Sequence, residues 1–304
     1  MRIVFAGTPE VAAPSLRALV AAGHEVLAVI TREDAPLGRK RVLTPSPVAD
    51  AAEALGLPVI KANTLGEAVT AQVAALAPDL GVVVAYGGLI REPLLSTPVH
   101  GWINLHFSDL PRWRGAAPVQ RALMAGEQEL GLTVFRLVAA LDAGDVLTRG
   151  ALTVPAGTSA GDALALLAEH GTASLLAAVE GLDSGALAGE PQVGETSYAH
   201  KLDRSHGHLD PRQPAAQILA HWAGVTPEPG ATLETDGASL KVHAITLTSG
   251  ASPAPGVVAL VDGKAVLGTV DGIGLALDRV QPAGKPAMDG AAWLRGRGGS
   301  VVVA

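Results

Sequence analysis

The chain has no cysteine in its 304 residues. Disulfides, thiolate catalysis and zinc–thiolate centres are therefore excluded. It also lacks an excess of positive charge: 22 Lys and Arg face 29 Asp and Glu, for a net charge of −7 at pH 7. A dedicated nucleic-acid binder usually has the opposite balance, because phosphate contacts dominate its affinity. Extensive nonspecific binding is disfavoured, while a local basic patch is not. Gly, Pro and charged residues break the apolar content, so no uninterrupted membrane-spanning stretch is expected. The apolar start, residues 1–7, runs into Thr8-Pro9-Glu10 and has no small-residue cleavage site. It reads as a first strand rather than a signal peptide, and a cytoplasmic location follows as the expectation. No internal repeat is visible. Charged residues make up only 17% and mean hydropathy is +0.33, which excludes a disordered chain.

What is present divides the chain. Its length exceeds one ordinary core and suggests two domains. Strand and helix signals alternate in the first half. Strands are expected at residues 2–6, 25–31, 59–61, 80–85, 102–106, 130–137 and 146–154. Helices are expected at 10–22, 48–55, 67–77, 118–125 and 160–182, with a polar loop at 32–47. This alternation predicts an α/β domain with a largely parallel sheet. Residues 183–192 turn to Gly, Ala, Ser and Pro, and a polar stretch follows. After a short helix at 215–223, about five short strands at even spacing between 232 and 280 suggest a small β-barrel, with a terminal helix at 289–295. The division is placed at 1–184 for the first domain, 185–205 for a linker and 206–304 for the barrel.

Three polar residues carry the candidate chemistry. Asn104 and His106 lie two apart on a strand, so their side chains share one face. An amide donor and an imidazole at a strand end suit a tetrahedral oxyanion and a proton transfer. Downstream, Leu141-Asp142-Ala143-Gly144-Asp145 puts a carboxylate in a Gly turn. Taken singly, each has a plain reading as a turn former, a satisfied core histidine or a helix cap. Ala6-Gly7-Thr8-Pro9-Glu10 joins a strand to a helix but lacks the G-x-G-x-x-G spacing of dinucleotide sites, and reads as a tight turn. The basic run Arg39-Lys40-Arg41 is either a phosphate contact or a solvated turn. His206-Gly207-His208-x-Asp210 has ligand-like spacing but no further ligand nearby, so no metal site is expected.

Asn104-x-His106-x-Ser108-x-Leu110-Pro111, Arg114-Gly115-Ala116-Ala117-Pro118 and Leu141-Asp142-x-Gly144-Asp145 together resemble the folate-dependent formyltransferase family. Phe5-Ala6-Gly7-Thr8-Pro9, Tyr198-Ala199-His200-Lys201-Leu202 and Gln281-Pro282-Ala283-Gly284-Lys285 extend the resemblance along nearly the whole chain, toward members acting on methionyl-initiator tRNA. The resemblance implies a Rossmann-like catalytic domain, an OB-like barrel that contacts tRNA, and a monomeric, metal-free enzyme. Its implied reaction moves formyl from 10-formyltetrahydrofolate to the methionine α-amine for translation initiation. Implied catalytic roles are an oxyanion donor for Asn104, a second donor in imidazolium form for His106, and for Asp142 a partner that holds the imidazole and favours its charge. Ser108, Asp109, Leu110, Pro111, Tyr86, Gly87 and Ile90 would line the folate site, with Asp109 standing where the family usually has Leu. Arg39, Lys40 and Arg41 would meet tRNA phosphates. Charges after residue 206 nearly balance, which keeps two alternatives open: transfer to a small amine such as an amino-sugar or glycinamide nucleotide, or a non-catalytic tRNA- or nucleotide-binding role.

Overall fold

The computed structural model describes residues 1–38 and 40–304. The first compact unit comprises Met1–Ala116, Leu130–Leu152 and Leu164–Ala199. Its seven strands are β1 (Arg2–Gly7), β2 (Glu25–Thr31), β3 (Val59–Lys61), β4 (Leu80–Val84), β5 (Trp102–His106), β6 (Glu129–Arg136) and β7 (Val146–Thr153). They form one sheet in the order β7-β6-β5-β4-β1-β2-β3. The run from β5 to β3 is parallel, and β6 returns antiparallel to β5. β4, apolar apart from Gly81, is buried at every residue, as a central parallel strand covered on both faces should be.

Helices α1 (Ala13–Ala21), α2 (Pro47–Ala54) and α3 (Glu67–Leu76) follow β1, the region after β2, and β3. Ser46 caps α2, its hydroxyl accepting the Ala49 N–H at 3.0 Å. Val4, Ala6, Ile30, Val73, Leu94 and Trp102 meet in one core cluster, and the Trp102 indole donates to the Leu94 carbonyl at 2.9 Å. Gly7 ends β1 where a Cβ would lie 2.8 Å from Ala12 Cβ and 2.9 Å from the Val84 carbonyl oxygen. The close approach of strand, helix and neighbouring strand requires glycine there.

Two features differ from the sequence reading. The expected loop at 32–47 contains a small hairpin, Ala35–Leu37 paired with Val42–Thr44. Three-residue strands are too short to show alternation. The long helix α5 (Ala160–Asp183) meets the length and apolarity of a membrane span, at 24 residues and a window hydropathy of 1.2. The expectation that no stretch would qualify is therefore corrected. The helix nevertheless buries Leu167, Leu175, Ala178, Val179 and Leu182, and a Cβ at Gly171 would sit 3.0 Å from Leu105 of β5. Those contacts are those of a core helix.

The second compact unit comprises Ala117–Glu129, Thr153–Ala163 and His200–Ala304. Helix α4 (Pro118–Met124) packs on α6 (Ala215–Val225). Gly224 permits the approach, since a Cβ there would be 2.4 Å from the Gln120 carbonyl oxygen. Strands β8 (Thr232–Thr235), β9 (Ala238–Leu247), β10 (Val257–Val261), β11 (Lys264–Gly268), β12 (Gly274–Pro282) and β13 (Ser300–Val302) form an antiparallel sheet in the order β8-β9-β12-β11-β10-β13. Its two edges meet through reciprocal bonds between Glu234 and Ala304, at 3.0 and 2.9 Å. The sheet thereby curls into the expected OB-like barrel. β13 was not foreseen; it is three residues after a Gly pair. α7 (Gly290–Arg295) is capped by Asp289, which accepts the Ala292 N–H at 2.7 Å.

Candidate active site

The strand order reverses between β1 and β4, and in open α/β sheets ligands bind outside the carboxyl ends at such a reversal. β5, next to β4, ends there with Asn104 and His106. Asn104 lies opposite Val83 on one side and Phe135 on the other. His106 lies opposite Thr133, and its ring meets Phe135 edge to face, with centroids 6.2 Å apart. Asn104 Oδ1 is buried with no hydrogen-bond partner. A buried amide oxygen kept without a protein partner costs stability unless something else uses the group.

His106 is 6% exposed, and its Nε2 lies 3.0 Å from the Trp113 carbonyl oxygen. A carbonyl can only accept, so Nε2 bears the proton and donates. In the neutral ring Nδ1 then keeps its lone pair.

Asp142 sits at φ +45° in the turn after β6. Gly144 beside it is obligatory, because a Cβ there would overlap the Arg136 carbonyl oxygen. Asp142 Oδ2 accepts the Gly115 N–H at 2.7 Å. The expectation that Asp142 would hold the imidazole directly is replaced by a different arrangement: the histidine grips one end of segment 113–115 and the aspartate the other. The charge expectation holds in part: the Asp142 carboxylate does favour the imidazolium, but burial acts against it more strongly. Burial pushes the His106 pKa below its ordinary value, outweighing the Asp142 charge and the Trp113 carbonyl, which both raise it.

Residues 190–199 complete this ring of contacts, although the sequence reading placed all of them in the linker at 185–205. Glu190 and Val146 exchange backbone bonds of 2.7 and 2.9 Å. Ser197 accepts the Trp113 N–H through its hydroxyl and the Arg114 N–H through its carbonyl, each at 2.9 Å. Gln192 Nε2 donates to the carbonyls of Asp142 and Gly144, both at 2.9 Å. Its Oε1 accepts from Arg114 Nη2 at 2.6 Å and Nε at 3.2 Å. A single glutamine in a Gly, Ala, Ser and Pro stretch carries no sequence signal for this role. Ala85, Trp113 and Asp142 all adopt left-handed backbone, at φ +48°, +59° and +45°. Such conformations cost about 1–3 kcal/mol each and tend to gather at functional sites.

The expected folate-lining residues divide. Ser108, Leu110 and Pro111 are buried, and the Ser108 hydroxyl donates to the Arg112 carbonyl at 2.7 Å. Asp109 is exposed and pairs with Arg149. Tyr86 lies in the core with its hydroxyl on the Ala62 carbonyl, 2.6 Å away. Gly87 is exposed at φ +79°, its carbonyl accepting from Arg32, and Ile90 is half-buried. Main chain, Gly87 and Ile90 are what this set offers a ligand.

Of the expected phosphate contacts, Lys40 and Arg41 are exposed at the hairpin tip, and Arg39 lies outside the described residues. Lys61 anchors the hairpin base to Asp34 at 2.6 Å, and Asn63 anchors it to Glu33 at 2.8 Å. His206 is committed to Asp203 and Arg121, and Asp210 to Arg212. Among the described residues no cluster of His, Cys, Asp and Glu could hold a metal ion.

Comparison with known proteins places this geometry in a lineage. Residues 1–179 match the model of the formyl transferase family, and residues 201–298 match that of the formyl transferase C-terminal domain. The methionyl-tRNA formyltransferase of Leifsonia xyli subsp. xyli is 54% identical over 303 residues, covering 100% of both chains. Among solved structures, the sugar 3N-formyl transferase WlaRD has a TM-score of 0.69 at 14% identity, covering 94% of this chain and 99% of its own. The methionyl-tRNA formyltransferase from Clostridium thermocellum has a TM-score of 0.60 at 12% identity, covering 82% and 95%. Those two share the fold. The family matches over both units and the full-length identity go further: the chain belongs to the formyl transferase family.

Proposed function

We propose that the protein transfers the formyl group of 10-formyltetrahydrofolate to the α-amine of methionyl-initiator tRNA, acting as a cytoplasmic monomer. The observation that carries this reading is that His106 and Asp142 hold opposite ends of segment 113–115, with Asn104 two residues before His106 on the same strand. The full-length likeness to a methionyl-tRNA formyltransferase supports the choice of acceptor.

The chemistry follows from these groups. The amine nitrogen attacks the formyl carbon, a C–N bond forms, and the carbonyl oxygen becomes an oxyanion. Asn104 Nδ2 donates to that oxygen. One such donor is worth about 2.7–4 kcal/mol of barrier. His106 Nδ1, with its lone pair free, accepts the proton shed by the attacking nitrogen. It then delivers that proton to the folate nitrogen as the old C–N bond breaks. Asp142 supplies a fixed negative charge that favours the imidazolium while it exists. Main chain near 108–111, with Gly87 and Ile90, would hold the folate. Residues 1–184 would carry the chemistry, and 206–304, with Arg39, Lys40 and Arg41, would contact tRNA.

The test offers the purified protein 10-formyltetrahydrofolate with charged initiator tRNA, charged elongator methionine tRNA or small amines. Formylation of initiator tRNA alone supports the reading. Transfer only to a small amine, or no transfer, rejects it.

A further inference from the structure

We propose that Gln192 is a positioning residue for Asp142: its side-chain amide locks the backbone of the aspartate turn to the Arg114 guanidinium. The proposal rests on the catalytic reading above and adds a residue to it.

The amide is fully committed. Its two N–H bonds go to the Asp142 and Gly144 carbonyls, and its oxygen takes two N–H bonds from Arg114. The orientation is unambiguous, because a guanidinium only donates and a carbonyl only accepts. A closed circuit results. Asp142 Oδ2 holds the Gly115 N–H, Gly115 is bonded to Arg114, Arg114 holds Gln192, and Gln192 returns to the Asp142 carbonyl. The turn needs this support, because Asp142 stays in left-handed backbone without the freedom of glycine. Glutamine is the side chain that suits both ends. Glutamate could accept from Arg114 but would present oxygen to two carbonyls. Methionine, of similar length, would do neither.

Two variants separate the alternatives. Gln192→Glu keeps the Arg114 bonds and loses those to the turn, whereas Gln192→Met loses both. Each should lower kcat on the order of tenfold to a hundredfold with little change in KM. In an Asp142→Ala background neither should lower it further, because the two residues act as one unit. Val193→Ala, an exposed neighbour, should behave as wild type. An activity-independent readout is NMR titration of His106. In Gln192→Met the ring should titrate lower than in wild type, because the opposing Asp142 charge is no longer held in place.

Normal kcat and normal His106 titration in Gln192→Glu, with only Gln192→Met impaired, would reduce Gln192 to an Arg114 anchor and overturn the proposal. So would loss of activity that is fully additive with Asp142→Ala. If wild type formylates no tRNA, the functional reading fails, while the His106 titration still decides the role of Gln192.

Discussion

His106 and Asp142 do not hold each other. They hold opposite ends of the same three residues, the imidazole through the Trp113 carbonyl and the carboxylate through the Gly115 N–H. The aspartate acts on the ring through its field rather than through a bond. A neutral ring with a charge nearby can take up a proton and release it again, which a locked ion pair resists.

Gly115 is the hinge of that arrangement and tolerates no side chain. It sits at φ +121°, and a Cβ would lie 2.8 Å from the Ala199 carbonyl oxygen. Gly115→Ala should lower stability by about 1–3 kcal/mol. It should also lower kcat, because the N–H that fixes Asp142 is displaced. Urea unfolding and steady-state kinetics on one preparation check both effects.

Asn104→Ala removes the proposed oxyanion donor. The expected result is a kcat about a hundredfold to a thousandfold lower, with KM for both substrates nearly unchanged. A rate within a few-fold of wild type would remove Asn104 from the mechanism.

The lowered pKa of His106 fixes the sign of two pH effects. In the unfolded chain the ring titrates near about 6.5. Below that value the unfolded state binds a proton that the native state resists, so stability falls as pH drops toward the folded pKa. Above it the contribution is complete. Wild type should lose more stability than His106→Gln between pH 8 and pH 5.5, as measured by denaturant midpoints. The acid limb of kcat/KM should likewise lie below about 6.5 and shift lower in Asp142→Asn, because that variant removes a charge that raises the ring pKa.

Lys40→Glu and Arg41→Glu should weaken tRNA binding and flatten its salt dependence, by about one unit of slope for each phosphate no longer engaged. Neither should alter folding, since both side chains are exposed at the hairpin tip. An unchanged KM for tRNA across a salt series would count against a role for the hairpin.

The sheet and barrel were legible in the sequence because buried strands announce themselves. Strand Trp102–His106 has the expected bounds, and β4 is an unbroken run without charges. Asn104, His106 and Asp142 each have a plain reading alone, and the resemblance to the formyltransferase family is what singles them out. The lowered pKa of His106 was not legible, since burial is a sum over elements distant in sequence, Phe135 and Thr133 among them. Nor was Gln192, whose neighbours are small and flexible and whose four bonds all reach at least 48 residues away. The hairpin at 35–44 escaped for want of length.

Asn104 sits in the fold with its amide oxygen already stripped of solvent and given nothing in return. An apolar residue of similar shape, such as Leu, would suit the empty protein better. On the role proposed for Asn104, thermal robustness and turnover make opposite demands at this one position.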